Sequence, residues 1–190
     1  MEPNYKTILI FSCLLLMGLT ACSVNVPLDA SMYSTQISAD KFSQYQGKQI
    51  YLGSFANKAE NTSLFHFYNQ DKSVTYGGPL LNSFFWHCFN SALLEIGIGV
   101  YEHEAPPGVA QLNFTLFHLD DASIKFNVIL KKDTFQIFKK DYLLDMERQE
   151  SKDPKILEER AYRFMDLIIT TILDDEEFKE AFFRKEVHLD

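Results

Sequence analysis

Two long stretches of the chain carry apolar residues at intervals of three and four, the spacing of an amphipathic helix. The first covers residues 80–97, and glycines follow where a helix would stop. The second begins at Asp153 and Pro154, a carboxylate that can accept amide hydrogen bonds followed by a residue suited to the first helical turn. Beyond its predicted end at residue 174, Asp174 and Glu177 are expected to cap a short third helix.

Other stretches alternate apolar and polar residues, the spacing of strands. Residues 49–55 are rich in strand-forming residues and apolar on both faces, which predicts an interior strand. Two short segments within residues 63–76 flank a polar turn and predict a hairpin, and residues 111–144 predict a three-stranded antiparallel meander. We therefore predict an α/β sandwich of the α+β type, in which a mainly antiparallel sheet carries both long helices on one face.

The beginning of the chain has the pattern of an export signal. Lys6 is its only basic residue, and an apolar run follows at residues 8–19. A bilayer requires about 20 apolar residues, so this run is too short for a permanent transmembrane helix. Small residues then lead into Cys22. We interpret residues 1–21 as a signal peptide.

The tetrapeptide Leu19-Thr20-Ala21-Cys22 resembles the bacterial lipobox. That resemblance implies removal of the leader before Cys22, a diacylglycerol joined to the Cys22 sulfur, and an acyl chain on the new amino terminus. Each buried methylene contributes roughly 0.8 kcal/mol, so several chains anchor a protein permanently. Ser23 follows, where an aspartate would signal retention in the inner membrane, which favours the periplasmic face of the outer membrane. The alternative is an ordinary secretory signal with a chance cysteine.

Three further segments complete the predicted organisation. The 190 residues less the 21 of the leader leave 169, a length suited to one domain with a tether. Residues 22–47 are mostly polar and are predicted to form that tether, which would span roughly 25 to 30 Å as a random coil. The alternative, indicated by Tyr33, Phe42 and Tyr45, is that part of this segment packs on the domain. Residues 48–183 are the predicted globular domain, and residues 184–190 a polar tail.

Composition excludes several classes of function. A formal net charge of −8 with no basic stripe argues against a nucleic-acid partner. Cys88 is the only cysteine of the predicted domain and is expected to be a buried thiol. The five histidines lack metal-site spacing, and no nucleophile elbow or phosphate loop is present. We expect no enzyme activity and no cofactor beyond the covalent lipid, and regard the acidic loop beside His118 as solvated charges.

Two kinds of function remain open. One is a non-enzymatic accessory subunit of an envelope transport, secretion or assembly complex; the other is a carrier of lipid or a small apolar ligand in a pocket between sheet and helices. Phe117, Leu119 and Ile129 fall on the sheet face opposite the main apolar set, which we expect to be partly covered or to bind a ligand. The candidate partner contacts are aromatic or histidine side chains expected to be exposed: His66, Tyr68, Tyr76 and Trp86. For Trp86, the alternative is packing inside the domain.

The layout also resembles a known group of proteins. The segments that carry the resemblance are the strands Leu112 to Leu119 and Ile124 to Leu130 and the helix Leu157 to Ile172. Together with the leader they are similar to the small outer-membrane lipoproteins of the YajG type and to the auxiliary lipoproteins of ABC-type lipid or solvent transporters. The resemblance implies an anchored accessory role and assigns no functional residue.

Overall fold

The computed structural model describes residues 23–184. The predicted signal peptide, Cys22 and the tail beyond residue 184 lie outside the described residues. Strands of the described part are β1 Val24–Pro27, β2 Gln49–Asn57, β3 His66–Tyr68, β4 Val74–Gly77, β5 Gly99–Tyr101, β6 Ala110–Leu119, β7 Ser123–Lys132 and β8 Phe135–Asp145. The α-helices are α1 Leu81–Glu95, α2 Pro154–Asp174 and α3 Glu176–Phe183, and short 3-10 turns cover Ala30–Met32 and Ala39–Tyr45. Within residues 23–184, no helix is both long and apolar enough to cross a membrane.

The predicted α/β architecture is confirmed. Its strands form two sheets where one mainly antiparallel sheet was expected, and three of the six strand pairings in the described residues are parallel. A five-stranded sheet has the order β5-β2-β6-β7-β8, with the antiparallel meander β6-β7-β8 on one side and β2 in the interior as predicted. Strand β2 runs parallel to both of its neighbours. A smaller sheet of order β1-β4-β3 contains the predicted hairpin as β3-β4. Helix α1 packs on β2, and α2 packs on α1 and β1.

The core is centred on Phe114 of β6, which is 1% exposed. Its ring lies 5.2 Å from the ring of Phe85 and 5.6 Å from that of Phe89, both on α1. On the sheet it lies 5.6 Å from Phe55 and 5.1 Å from Phe126. The inward residues of β6 and β7 alternate with outward ones as the sequence predicts, because one face of the sheet is covered by helix.

The outer face of the large sheet differs from the prediction at one residue. A bulge between Leu116 and His118 adds a residue to β6, which returns Leu119 to the core, where it is 3% exposed. Phe117 stays on the outer side with 41% exposure, and Ile129 is half-buried there.

The described part of the predicted tether is folded onto the domain. Strand β1 pairs in parallel with β4, and the side chains of Val26, Phe42 and Tyr45 have no exposed surface. Apolar residues interleaved with the polar ones supply this burial, so a flexible tether over these residues is a wrong prediction. The alternative, in which Tyr33, Phe42 and Tyr45 pack on the domain, is confirmed. We call residues 24–46 the N-terminal strap.

The strap runs along α2 and is fastened mainly by Asp166. Its carboxylate accepts hydrogen bonds from the Tyr33 hydroxyl at 2.6 Å, the Thr35 hydroxyl at 2.7 Å and the Gln36 N–H at 3.0 Å. Further along the helix, the Tyr45 hydroxyl donates to the backbone oxygen of Leu173 at 2.9 Å. Burial and the Asp166 carboxylate raise the pKa of Tyr33, so this hydroxyl remains a donor.

Replacing Asp166 with alanine is expected to loosen the strap. The buried Tyr33 hydroxyl would lose its acceptor, which costs about 1–3 kcal/mol of unfolding free energy. Urea denaturation measures the loss, and hydrogen exchange should show faster exchange in β1. Glu159→Ala, on an exposed position of the same helix, should change stability by less than about 0.5 kcal/mol. Equal effects of the two substitutions would contradict the fastening role of Asp166.

The start of α3 is capped one residue later than predicted. The Asp175 carboxylate accepts the Phe178 N–H at 3.1 Å and the Tyr142 hydroxyl at 3.0 Å. Asp174, the predicted cap, instead pairs with Lys41 of the strap.

Candidate functional site

The structure brings together two of the four predicted partner contacts. His66 and Tyr68 lie on β3, half-buried, with ring centres 5.0 Å apart. Tyr76 is 2% exposed and stacks on Phe67 at 4.6 Å, so its predicted role as a surface contact is wrong. Trp86 lies elsewhere, on α1, half-buried, and its indole N–H donates to the Leu52 oxygen at 3.3 Å. That contact matches the packing alternative for Trp86.

Strand β3 is the edge of the small sheet, and the loop before it folds over that edge. The Ser63 N–H donates to the His66 oxygen at 2.8 Å, and the Ser63 hydroxyl lies 2.9 Å from Nδ1 of His66. Thr62 forms an isolated bridge with Phe67 and is held by the side-chain amide of Asn57 at 2.9 Å. The loop therefore satisfies part of the backbone that an edge strand leaves unpaired.

An open cleft of about 430 Å³ lies between β3 and the end of β6. The β6 bulge aims His118 into it, and Nε2 of His118 lies 3.1 Å from Oδ2 of Asp120. Asn61 closes one side by donating its amide to the Leu119 oxygen at 2.8 Å. The sequence predicted His118 and Asp120 to be solvated loop residues, because their position beside β3 depends on the fold and has no local signal. The main lining side chains are Glu60, Asn61, His66, Tyr68, His118 and Asp120.

Asp120 is held as a carboxylate. Burial disfavours its charged form, but the N–H groups of Ala122 and Ser123 and the His118 ring outweigh burial and lower the pKa of Asp120. Its Oδ1 accepts those two N–H groups at 2.8 Å and 2.7 Å. The carboxylate thus shapes the β6–β7 turn and orients His118.

Lowering the pH is expected to remove the contribution of Asp120 to stability. A carboxyl with a depressed folded pKa stabilises the fold above its unfolded pKa of about 3.9, and the contribution is lost as pH falls through the folded pKa. Asp120→Asn should cost about 1 kcal/mol at neutral pH. Urea denaturation of both proteins should show this difference shrinking below about pH 4. A difference that stays constant would assign Asp120 no such role.

Metal or thiol chemistry would depend on the histidine, carboxylate and cysteine side chains. Among residues 23–184, no group of three or more His, Cys, Asp or Glu side chains is arranged to hold a metal ion. Cys88 is fully buried on α1, and burial raises the pKa of its thiol, which disfavours the reactive thiolate.

A patch of exposed apolar side chains adjoins the cleft at the start of β3. Leu64, Phe65 and Leu80 are 63%, 54% and 40% exposed, respectively. The patch is fixed by backbone hydrogen bonds, since the Leu81 N–H donates to the Leu64 oxygen at 2.8 Å and the Gly78 N–H to the Phe65 oxygen at 3.1 Å. We call Leu64, Phe65 and Leu80 the apolar patch. The sequence pattern missed it, because exposure here depends on what the rest of the fold leaves uncovered.

Glycine at position 78 is required by the close approach of the strap to this patch. A Cβ at this position would lie 2.2 Å from the backbone oxygen of Leu28, closer than a side chain tolerates. The strap residue Leu28 is itself 3% exposed and donates its N–H to the Gly77 oxygen at 2.6 Å. The strap therefore packs directly on Gly77 and Gly78, two residues before Leu80 of the patch.

The other surface depressions are open and mixed in character. A groove of about 820 Å³ lies between the β3–β4 turn and the connector 147–152, and is lined mainly by polar side chains. On the outer face of the large sheet, a depression of about 530 Å³ combines Phe117 and Ile129 with Lys58, Lys125 and Lys139. The small space beside Phe114 and Phe85 holds no volume for a ligand.

The chain matches no known protein-family model, and no curated protein is similar to it. Solved structures that align with it include the following two. XCC0632 from Xanthomonas campestris, assigned to the family DUF330, covers 80% of this chain and 93% of its own at 7% identity, with a TM-score of 0.52. An uncharacterized protein covers 67% of this chain and 93% of its own at 14% identity, with a TM-score of 0.45. At 7% identity, the similarity to XCC0632 extends to the fold alone, and the finer resemblance to the YajG type stays a prediction.

Proposed function

We propose that this chain is a lipid-anchored, non-enzymatic accessory subunit of an envelope transport, secretion or assembly complex. Its anchor is the acylated Cys22, which holds it on the periplasmic face of the outer membrane. Its partner contact is the apolar patch together with His66 and Tyr68 of the adjoining cleft. The partner is a protein of the same envelope compartment.

The observation that carries the proposal is the apolar patch. Nine large apolar side chains are exposed in the described residues, and the three of the patch are carried by segments that backbone hydrogen bonds join to each other. A preformed patch of this kind lowers the entropy cost of docking. Contiguous exposed apolar surface with a polar rim is typical of protein interfaces, and here the rim is the cleft that contains His66, Tyr68 and His118.

The carrier alternative receives less support from the described residues. A lipid or apolar ligand requires an enclosed, mostly apolar pocket of several hundred Å³. Within residues 23–184, the depressions of that size are open to solvent, and the space between α1 and the sheet is filled by phenylalanine rings. These observations favour a docking role over a role as a ligand carrier.

The anchor is tested by the mass of the amino-terminal peptide and by fractionation. Wild-type protein should begin at Cys22 carrying diacylglycerol and an acyl chain, and should sediment with membranes. Cys22→Ser should leave the protein in the soluble fraction, since it removes the attachment atom of the acyl chains. An unmodified Cys22, or a mature terminus elsewhere, would refute the anchor.

The docking surface is tested by affinity purification from detergent-solubilised membranes. Substitution of Phe65 by serine should reduce recovery of the partner about tenfold, because a buried aromatic anchor contributes roughly 1–2 kcal/mol or more to an interface. Phe135→Ser is the matched control, since Phe135 is 74% exposed and lies in a different part of the fold. Equal recovery with both variants would reject the apolar patch as the contact.

A further inference from the structure

We infer that the domain is held flush against the bilayer by one defined end, with no flexible tether between lipid and fold. The inference rests on the lipidation of Cys22 proposed above. The bilayer contacts that end of the domain, which we call the anchor end. It consists of the β3–β4 turn at residues 69–73, the β6–β7 turn at residues 120–122 and the connector 147–152.

The first step is the distance from the anchor to the fold. Strand β1 begins at Val24, two residues after Cys22, and its first N–H donates to the Ser73 oxygen at 2.9 Å. Consecutive Cα atoms are about 3.8 Å apart, so two residues of chain reach at most about 8 Å from Val24. The acyl chains therefore leave the protein beside the β3–β4 turn.

The second step is that the three segments of the anchor end lie together. The Gln70 N–H donates to Oδ1 of Asp121 at 3.3 Å, which joins the two turns. The Met146 N–H donates to the Ala122 oxygen at 2.7 Å, and the connector after it shares a groove with residues 69–73. The charged side chains of the anchor end are five acidic ones, Asp71, Asp120, Asp121, Glu147 and Glu150, and three basic ones, Lys72, Arg148 and Lys152. Arg160 pairs with Asp121, so this end carries a net charge of only −1 when Arg160 is included, out of −8 for the chain.

The third step is that detaching the strap from the domain to form a tether would cost a large free energy. Detachment would expose Val26, Leu28, Tyr33, Phe42 and Tyr45, all of which are buried. Burial of a large apolar side chain contributes about 1.5–3 kcal/mol, so releasing the whole strap would approach the stability of a domain. The distance between the lipid and the domain is therefore limited by the two residues before β1.

The fourth step gives the direction of the domain. The strap runs beside α2 in the same direction as the helix. Its successive contacts with α2 are Asp29 to Tyr162, Tyr33 to Asp166 and Tyr45 to Leu173. Helix α2 starts directly after the connector and spans about 30 Å over its 21 residues. The β7–β8 turn near Thr134 lies at the far end of the large sheet, a ten-residue strand away from the β6–β7 turn. The apolar patch lies beside Leu28, four residues along the extended strap from Val24 and so roughly 13 Å further from the anchor. The opposite wall of the cleft, which includes Asn69, Gln70 and Asp120, belongs to the anchor end and faces the headgroups.

The experiment uses the lipidated protein reconstituted in vesicles of phosphatidylethanolamine and phosphatidylglycerol. A fluorescent donor is attached to single cysteines at exposed positions, Gln70→Cys and Glu150→Cys at the anchor end and Thr134→Cys and Gln136→Cys at the far end. Cys88 is fully buried, and Cys22 would be occupied by lipid. The acceptor is on the lipid headgroups, with a transfer distance of about 30 Å to match the molecule.

Transfer should be several-fold more efficient from the two anchor-end positions than from the two far-end positions. A glycine–serine linker inserted between Ser23 and Val24 should remove the difference, because it supplies the tether that the fold lacks. Equal transfer from both ends of the linker-free protein, with the lipid on Cys22 verified by mass, would overturn the inference and leave the anchor intact. An unmodified Cys22 would overturn the inference and the proposed function together.

Discussion

Replacing Asp121 with alanine is expected to lower the free energy of unfolding by about 3–5 kcal/mol, since it leaves the buried Arg160 guanidinium without its carboxylate. The two side chains are each 9% exposed, with Nη1 of Arg160 3.7 Å from Oδ2 of Asp121. Arg160 also donates to the Glu147 oxygen. This pair joins α2 to the β6–β7 turn and the connector, so its loss should loosen the anchor end first. Chemical denaturation gives the free energy.

A double-mutant cycle separates the ion pair from general damage. Arg160→Met should also destabilise the protein, but Asp121→Ala combined with Arg160→Met should cost less than the sum of the two, because no uncompensated charge remains. Additive losses would contradict a coupled pair.

Replacing Phe114 with alanine is expected to cost about 3–5 kcal/mol of unfolding free energy. The ring is 1% exposed and contacts four other phenylalanine rings from both α1 and the sheet, so its removal leaves a cavity that they cannot fill. Thermal and urea denaturation measure the loss.

Phe117→Ala is the matched control, three residues further along the same strand. Phe117 is 41% exposed on the outer face, so its loss should cost no more than about 1 kcal/mol. Equal costs for the two substitutions would mean that the assigned faces of β6 are incorrect, since a one-residue shift of register exchanges them.

Elements whose apolar pattern is local were predictable from the sequence. The apolar stripe of α1 and the alternation along β7 were predicted from their spacing, and the structure has both. The predicted cap of α2 at Asp153 is also present. Leu119 was misplaced because the bulge at Phe117 shifts the alternation by one residue, and alternation alone cannot reveal an inserted residue.

The aromatic residues Tyr33, Phe42 and Tyr45 indicated packing of the strap on the domain, but its partners could not be predicted because they are distant in sequence. Tyr33 and Asp166, for example, are separated by 133 positions. The parallel pairing of β1 with β4 likewise has no local signal. His66 and Tyr68 were predicted as contacts because they are aromatic or histidine side chains expected to be exposed. His118 and the apolar patch could not be predicted, because segments distant in sequence form them.

The anchor and the apolar patch form one arrangement. The strap starts two residues after Cys22, which we propose to be lipidated. At Leu28 it packs against Gly78, two residues before Leu80 of the patch. A short, rigid connection from lipid to patch would present the patch to a membrane-associated partner at a fixed height and orientation. Restricting a binding surface in this way raises its effective concentration at the partner.

The most direct test of the proposed docking role is photo-crosslinking in cells, with a photoreactive residue in place of Phe65 or, as control, Phe135. We predict one reproducible envelope protein captured at Phe65, absent at Phe135, and lost when Leu64 and Leu80 are both replaced with serine. Capture of lipid alone at Phe65, or the same proteins at both positions, would contradict the account.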